Sequence, residues 1–204
     1  MQLKRQLFVI AIVHDQADLG SLATLARCCA SPQAWHDRQS AIEAWWDIAE
    51  HWSRDFIDGA TQEKTISQVV VFQDGLAADV PAEKVVCELA RSESRNYQVL
   101  EQFLKAGAQV VGTESAELLV RELEFSRLFA GASPASLHLE SQGRALLERR
   151  DHFIAQKVAS TLREGQQGIL FVGSAHHVES FLPTDIEVIR PVRAMPLRAL
   201  RSAS

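Results

Sequence analysis

The sequence predicts an α/β fold, a mostly parallel sheet of about five strands covered by helices on both faces. Two observations lead to this class. Short apolar runs rich in β-branched residues recur along the chain, and they are continuous, which is typical of strands buried on both faces. Segments with helical spacing of apolar residues separate them. A length of 204 residues with 47% apolar residues allows a substantial core.

Five apolar runs are predicted as the strands of this sheet. In chain order they are Leu7–Val13, Val69–Phe72, Gln109–Gly112, Ile169–Val172 and the weaker Ile186–Ile189. Polar or turn residues follow each run, as expected where a strand ends. The first run is too short to cross a bilayer, and no small-x-small cleavage site precedes the charges after it. We therefore expect a soluble, cytoplasmic protein without a membrane partner.

Helices are predicted between the strands. They are Ser21–Ala30, a long helix opened by Ser31-Pro32 and ended by Asp58-Gly59, one or two helices over Pro81–Ala106 ending at Gly107, then Ser115–Phe129 and Leu139–Arg163. All four tryptophans lie in the long helix at spacings typical of one helix face. This pattern favours a core position for them over a ligand-binding box, and a homodimer through this Trp-rich helix is the remaining alternative.

Composition and charge restrict the possible domain organisation and the possible binding partners. We expect one α/β domain over residues 1–190 and a basic tail over 191–204 that lies on the surface or frays. The formal net charge of −5 argues against nucleic acid as a partner, because binding to phosphates needs clustered lysines and arginines. Three cysteines without a C-x-x-C spacing indicate neither a redox motif nor a zinc knuckle.

Titratable residues follow four of the predicted strands. Ligands of open parallel sheets bind at the carboxyl ends of the strands, where loops and helix N-termini converge. The residues that we assign to this edge are His14, Asp18, Asp74, Glu114, His176 and His177. Histidines and carboxylates brought together in this way provide acid–base groups and metal ligands. The sequence therefore predicts a functional site at the carboxyl ends of the strands.

The helix before the fourth strand carries a charged run, Glu148-Arg149-Arg150-Asp151-His152, between apolar residues. Periodicity predicts that Arg150 and His152 are solvated. It leaves open whether Arg149 or Asp151 points inward, and a buried arginine would need a carboxylate or a bound anion.

The arrangement of these short motifs resembles a known superfamily. The motifs are His14 after the first strand, Glu114 at a later strand end, Arg150–Ala155 in the last long helix, and Gly173-Ser174-Ala175-His176. In this order they resemble the superfamily of erythromycin esterases, ChaN-type haem-binding lipoproteins and TraB/TIKI proteins. The resemblance implies that Arg150 and Asp151 belong to the site. Because these relatives hydrolyse esters, bind haem or cleave proteins with a metal, it leaves the activity open.

The first functional hypothesis is a small-molecule hydrolase. His14 or His176 would act as the general base, because a histidine titrates near neutral pH. Glu114 would orient that histidine or bind a cation, and Arg150 would stabilise developing negative charge. Asp18, Asp74, Asp151 and His177 would contact the substrate. A divalent metal ion held by His14, Glu114 and His176 is the metal-assisted version.

The second hypothesis is a non-catalytic protein that binds a small-molecule ligand, either haem or a small anion, in the same cleft. His176 and His177 would then offer an axial ligand. A nucleotide is not expected, since neither a G-x-G-x-x-G nor a Walker sequence is present. Buried acid–base groups with shifted pKa values would favour the enzyme, and an open apolar slot beside His176 would favour haem.

Overall fold

A computed structural model describes residues 4–13, 32–92, 94–130 and 137–193. The strands are β1 (Arg5–Ile12), β2 (Val69–Ala77), β3 (Gln109–Glu114), β4 (Gln167–Gly173) and β5 (Ile186–Ile189). The helices are α1 (Pro32–Gln62), α2 (Ala82–Ala90), α3 (Arg95–Ala106), α4 (Ala116–Ala130) and α5 (Leu137–Thr161), with 3-10 turns at Ile66–Gln68 and Val178–Phe181. All five predicted strands are confirmed. The predicted helix Ser21–Ala30 lies outside the described residues.

The five strands form one all-parallel sheet in the order β3-β2-β4-β1-β5. Three connections therefore pass over one strand each, namely β1 to β2 over β4, β3 to β4 over β2, and β4 to β5 over β1. In the register of the central strands, Ile12 lies beside Gly173, and Gln73 lies beside Gly112 and Phe171. The carboxyl ends of β1, β2, β3 and β4 thus reach a common edge of the sheet.

Helices cover both faces of the sheet, as the sequence predicts. On one face α1, α2 and α3 pack on the strands, with Trp46, Phe103 and Phe171 fully buried among them. On the other face α5 packs through Ile154 against Phe72 and its neighbours. Because every central strand is covered on both faces, its apolar residues run continuously instead of alternating.

The long Trp-rich helix α1 is mainly a core element. Trp45 and Trp46 are buried, and the half-buried Trp52 packs against the same core, which confirms the core interpretation for these three residues. The indole nitrogen of Trp46 donates a hydrogen bond to the carbonyl oxygen of Val13 at 3.2 Å, which ties α1 to the end of β1. Dimerisation through this helix stays a prediction.

One helix end differs from the expectation, and the start of the tail contacts the core. Helix α1 does not end at Gly59 but continues to Gln62, and the backbone becomes left-handed at Lys64 (φ 59°). The segment 81–106 forms two helices, the second capped by Ser94, which accepts a hydrogen bond from the backbone N–H of Tyr97. The start of the predicted surface tail is anchored, because Val192 is buried in the core. In the described part of the chain, no helix has the length and apolar character needed to cross a membrane.

A bulge in β2 shapes the edge of the sheet where the site lies. The pairing of β2 with β3 shifts register between Gln73 and Ala77, and Gly75 adopts a left-handed conformation (φ 74°). Opposite the bulge, Gly112 lets β2 approach closely, since a Cβ atom there would lie 2.3 Å from the carbonyl oxygen of Ala77. A bulge of this kind bends the strand and re-aims its side chains.

We expect Gly112→Ala to lower the free energy of unfolding by about 3 kcal/mol or more, because the added methyl group meets backbone atoms that must shift. Chemical denaturation measures this change. Gly59→Ala is the matched control. Its Cβ would have no atom within 4 Å, and alanine in a helix interior is favoured over glycine by about 1 kcal/mol. Equal stability of the two variants would contradict the close approach at Gly112.

Candidate functional site

A buried cluster of charged side chains lies at the carboxyl edge of the sheet. Asp74 comes from the bulge of β2, Glu114 ends β3, and His176 follows β4 in a turn. Helix α5 contributes Arg150 and Asp151 from above the same edge. The sheet order places β2 between β3 and β4, so three neighbouring strands and one helix meet at a single point.

Arg150 is the centre of the cluster. Its Nε and Nη2 atoms donate to Oε1 of Glu114 at 3.0 and 2.5 Å, and Nη2 also donates to Oδ1 of Asp74 at 2.8 Å. Its Nη1 atom lies 2.5 Å from Oε2 of Glu122, a half-exposed residue of α4. Burial disfavours the charged guanidinium, but its hydrogen bond with Glu114 and the nearby carboxylate charges outweigh burial and raise the pKa of Arg150.

His176 lies between two carboxylates. Its Nδ1 atom is 2.5 Å from Oδ1 of Asp151, and its Nε2 atom is 3.4 Å from Oδ2 of Asp74. The second oxygen of Asp151 accepts the backbone N–H of His177 at 2.9 Å, which fixes the carboxylate in place. Burial lowers the pKa of His176. The hydrogen bond to Asp151 and the charge of Asp74 raise it by more than burial lowers it, so the net shift of the pKa is upward.

The two buried strand carboxyls have opposite pKa shifts. Burial raises the pKa of Glu114 to about 7, with a further contribution from the neighbouring Asp74, against the effect of Arg150. Burial also acts to raise the pKa of Asp74, but the charge of His176, a hydrogen bond with Glu114, the charge of Arg150 and the N–H of Gly173 lower it overall. Near neutral pH the cluster therefore contains an ionised Asp74 and a Glu114 that exchanges its proton.

Gly173 allows the two halves of the cluster to approach each other. Its backbone N–H donates to Oδ2 of Asp74 at 2.8 Å. A Cβ atom at this position would lie 3.2 Å from that oxygen and 3.4 Å from Cδ2 of His176. These close contacts explain why the Gly173-Ser174-Ala175-His176 motif begins with a glycine in this fold.

Helix α5 presents Arg150 and Asp151 on its buried face. Arg150 precedes the buried residues Ile154 and Val158 at four-residue intervals, and Asp151 precedes Ala155 in the same way. Residues at this spacing lie on one face of a helix. The prediction that Arg150 is solvated is therefore wrong, because the inward stripe of α5 continues through it, whereas Arg149 and His152 are exposed.

A cleft of about 350 Å³ opens beside the cluster. Its lining includes Asp74, Arg150 and His176, together with Arg38 of α1 and Glu122 of α4. A second cavity of about 380 Å³ borders His176 from the side of β1 and contains His177 and Glu179. The cluster is thus buried but opens to a cleft next to its histidine.

The structure brings most of the predicted site residues together. Those that meet in the cluster are Asp74, Glu114, Arg150, Asp151 and His176. His177 contributes only its backbone N–H, and its side chain is exposed. His14 and Asp18 lie outside the described residues. Arg38 and Glu122 were not predicted as site residues. Their helical spacing was a signal, because Arg38 lies four residues before the buried Ile42 and Glu122 lies four residues after the buried Leu118.

Three of these residues have the arrangement of a metal site. Asp74, Glu114 and His176 each offer one ligand atom, and these atoms lie within 4.8 Å of one another. Oε1 of Glu114 is bound by Arg150, whereas its buried Oε2 has no hydrogen-bond partner in the structure. Compared with the predicted set, Glu114 and His176 remain and Asp74 is added, while His14 lies outside the described residues.

No protein-family model, no curated protein and no solved structure matches this chain. The resemblance to the erythromycin esterase, ChaN and TraB/TIKI superfamily therefore stays a prediction. The assignment of a function rests on the geometry and electrostatics of the cluster.

We expect metal-free protein to lose stability, relative to Glu114→Gln, as the pH rises from about 4.5 to about 7. The folded-state pKa of Glu114 is raised from 4.5 to about 7, so its contribution is fully present below 4.5 and is lost as the pH rises through 7. One proton changes the free energy of unfolding by at most about 1.4 kcal/mol per pH unit. Urea unfolding in EDTA at several pH values measures this difference.

The control is Glu124→Gln, which alters an exposed glutamate of α4. Its pH profile should follow that of the wild type. A wild-type protein that gains stability relative to Glu114→Gln between pH 5 and 7 would contradict the raised pKa.

Proposed function

We propose that this chain is a small-molecule hydrolase in which His176 acts as the general base at the carboxyl ends of the strands. The observation that carries the proposal is the bond between Nδ1 of His176 and Asp151, combined with the position of His176 in the cleft wall. A histidine that donates Nδ1–H to a carboxylate keeps Nε2 for proton transfer. An oriented imidazole in the wall of a cleft is what a hydrolytic site needs.

Asp151 has the part of a positioning residue. It binds Nδ1 of His176 and the backbone N–H of His177, so both of its oxygens are used to hold the turn after β4. A carboxylate in this position fixes the tautomer of the histidine and stabilises the imidazolium that forms when the base accepts a proton. The upward pKa shift of His176 makes its imidazole a stronger base.

The remaining cluster residues supply charge and contacts to the substrate. Arg150 provides the positive field next to the cleft, where negative charge develops as water attacks a carbonyl group. Asp74 lies 3.4 Å from Nε2 of His176, which makes its oxygen an acceptor for a water molecule or a substrate donor bound there. In this proposal Glu114 holds Arg150 in place and exchanges a proton near neutral pH.

A metal-assisted reaction is the second version of the same proposal. Its support is the set of Asp74, Glu114 and His176, together with the unpartnered Oε2 of Glu114. Two carboxylates and a histidine suit a divalent ion such as zinc or manganese. A metal-binding histidine commonly donates its other ring N–H to a carboxylate, and Asp151 occupies that place here.

The choice of a hydrolase over a haem-binding protein rests on the surroundings of His176. Its Nε2 atom faces the Asp74 carboxylate, and the pKa shifts of Asp74, Glu114 and His176 are of the kind that acid–base catalysis uses. His14 and Asp18 remain proposed contributors from the segment after β1. A cytoplasmic location and a homodimer through α1 also remain predictions.

We expect His176→Ala to reduce kcat for small ester substrates by about 10²- to 10⁴-fold, the usual contribution of a general base. A panel of p-nitrophenyl esters, followed by absorbance, identifies the substrate and measures the loss. His177→Ala is the matched control, since that side chain is exposed and adjacent, and it should retain most of the activity.

Asp151→Asn adds a readout that a purely structural role would not give. The variant should shift the rising limb of the kcat–pH profile to lower pH, because the neutral amide no longer favours the imidazolium. Full activity of folded His176→Ala protein would remove His176 from the mechanism.

A metal-assisted reaction predicts about one divalent ion per chain in the purified, untagged protein. Elemental analysis together with a visible spectrum measures this, and Asp74→Asn or His176→Ala should lower the content to near zero because each removes a ligand. Glu179→Gln serves as the control outside the set. A metal-free wild type that hydrolyses esters in EDTA would leave only the metal-free version, and a haem band would contradict both.

A further inference from the structure

Arg38 is a cation in the wall of the cleft with no acidic partner among the described residues. It projects from α1 into the lining that also contains Asp74, Arg150 and His176. Its Nε atom is buried and has no hydrogen-bond partner. A buried N–H donor without an acceptor is costly, so this atom favours a bound group that offers one.

Glu122 is the exchangeable member of the ion pairs around Arg150. The other two carboxylates belong to strands and are 3% and 0% exposed, whereas the side chain of Glu122 is 42% exposed and reaches Nη1 of Arg150 from α4. An ion pair of a half-exposed side chain contributes little to stability. Arg150 would keep its bonds to Asp74 and Glu114 if Glu122 moved away, so Nη1 can accept another anion.

We infer that the cleft binds the anionic group of its ligand, a carboxylate or a phosphate, between Arg38 and Nη1 of Arg150, in the place now taken by the Glu122 carboxylate. The inference deepens the proposed function, on which it rests, by naming the class of substrate. A planar guanidinium presents paired N–H donors that match the oxygens of carboxylates and phosphates. The Glu122 carboxylate already makes one of these contacts within the chain.

The charge of the cleft is compatible with an anion at this point. Asp74 would repel one, but its charge is opposed by Arg150, by His176 and by the backbone N–H of Gly173. A ligand without an acceptor oxygen at this point would leave the Nε atom of Arg38 buried and unpaired. Sites with buried donors discriminate strongly against ligands that lack the matching group. The anion would anchor the ligand while its reacting group lies near His176 in the same cleft.

The test is an NMR titration of metal-free protein with succinate and, separately, with inorganic phosphate. Arg38→Gln should weaken binding of the preferred anion by about tenfold or more, the value of one charged hydrogen bond. Glu122→Gln should strengthen it several-fold, since a competing carboxylate is removed. The matched controls are Arg54→Gln on α1 and Glu124→Gln on α4, which alter exposed residues and should leave the affinity unchanged.

Weaker anion binding by Arg38→Gln together with stronger binding by Glu122→Gln would support the inference. The anion that binds more tightly, succinate or phosphate, shows whether the site prefers carboxylates or phosphates. Absence of binding to wild-type protein at millimolar anion, or equal affinity in all variants, would overturn it. Its failure is distinguishable from that of the proposed function. If the protein binds the anion but hydrolyses no ester, only the proposed hydrolase function is overturned. If it hydrolyses neutral and anionic esters equally well and binds no anion, only the inferred anion site is overturned.

Discussion

The buried ion pairs of Arg150 are the interaction on which the carboxyl edge of the sheet depends. Two strands provide its buried partners, Asp74 and Glu114, and α4 adds the half-exposed Glu122. Removing one partner from a buried charge typically costs about 3–5 kcal/mol, because the remaining charge stays dehydrated. The bulge of β2, the end of β3 and the face of α5 are therefore coupled, and none of them can shift without exposing or orphaning a charge.

The histidine half of the cluster is fixed in a different way. His176 lies in a turn, which by itself would leave the ring free to move, but Asp151 holds both the ring and the following backbone N–H. Since Asp151 neighbours Arg150 on α5, a single helix positions the arginine and the histidine together. Such support from rigid elements is what maintains catalytic geometry. The same helix thus serves the core with Ile154 and the site with the residues one turn earlier.

The carboxyl groups beside the cleft differ in their electrostatic surroundings, and their pKa values shift in opposite directions. Glu114 exchanges a proton near neutral pH, whereas Asp74 stays ionised between His176 and Arg150. Pairs of titratable groups whose pKa values are driven apart are characteristic of acid–base sites. Arg38 lies in the same cleft wall, and among the residues that the structure describes it has no carboxylate partner, which is the basis of the inferred anion site.

The sequence by itself determined the parallel α/β class and all five strands, because burial on both faces leaves continuous apolar runs that need no partner to be recognised. It also placed Asp74, Glu114 and His176 at strand ends. Only the tertiary structure decided the order of the strands, the burial of Arg150 and the positions of Arg38 and Glu122 in the cleft wall. A charge that continues an apolar helix stripe has the same local pattern whether it meets water or a carboxylate. Its fate depends on partners from other segments, which chain folding alone brings within a few ångströms.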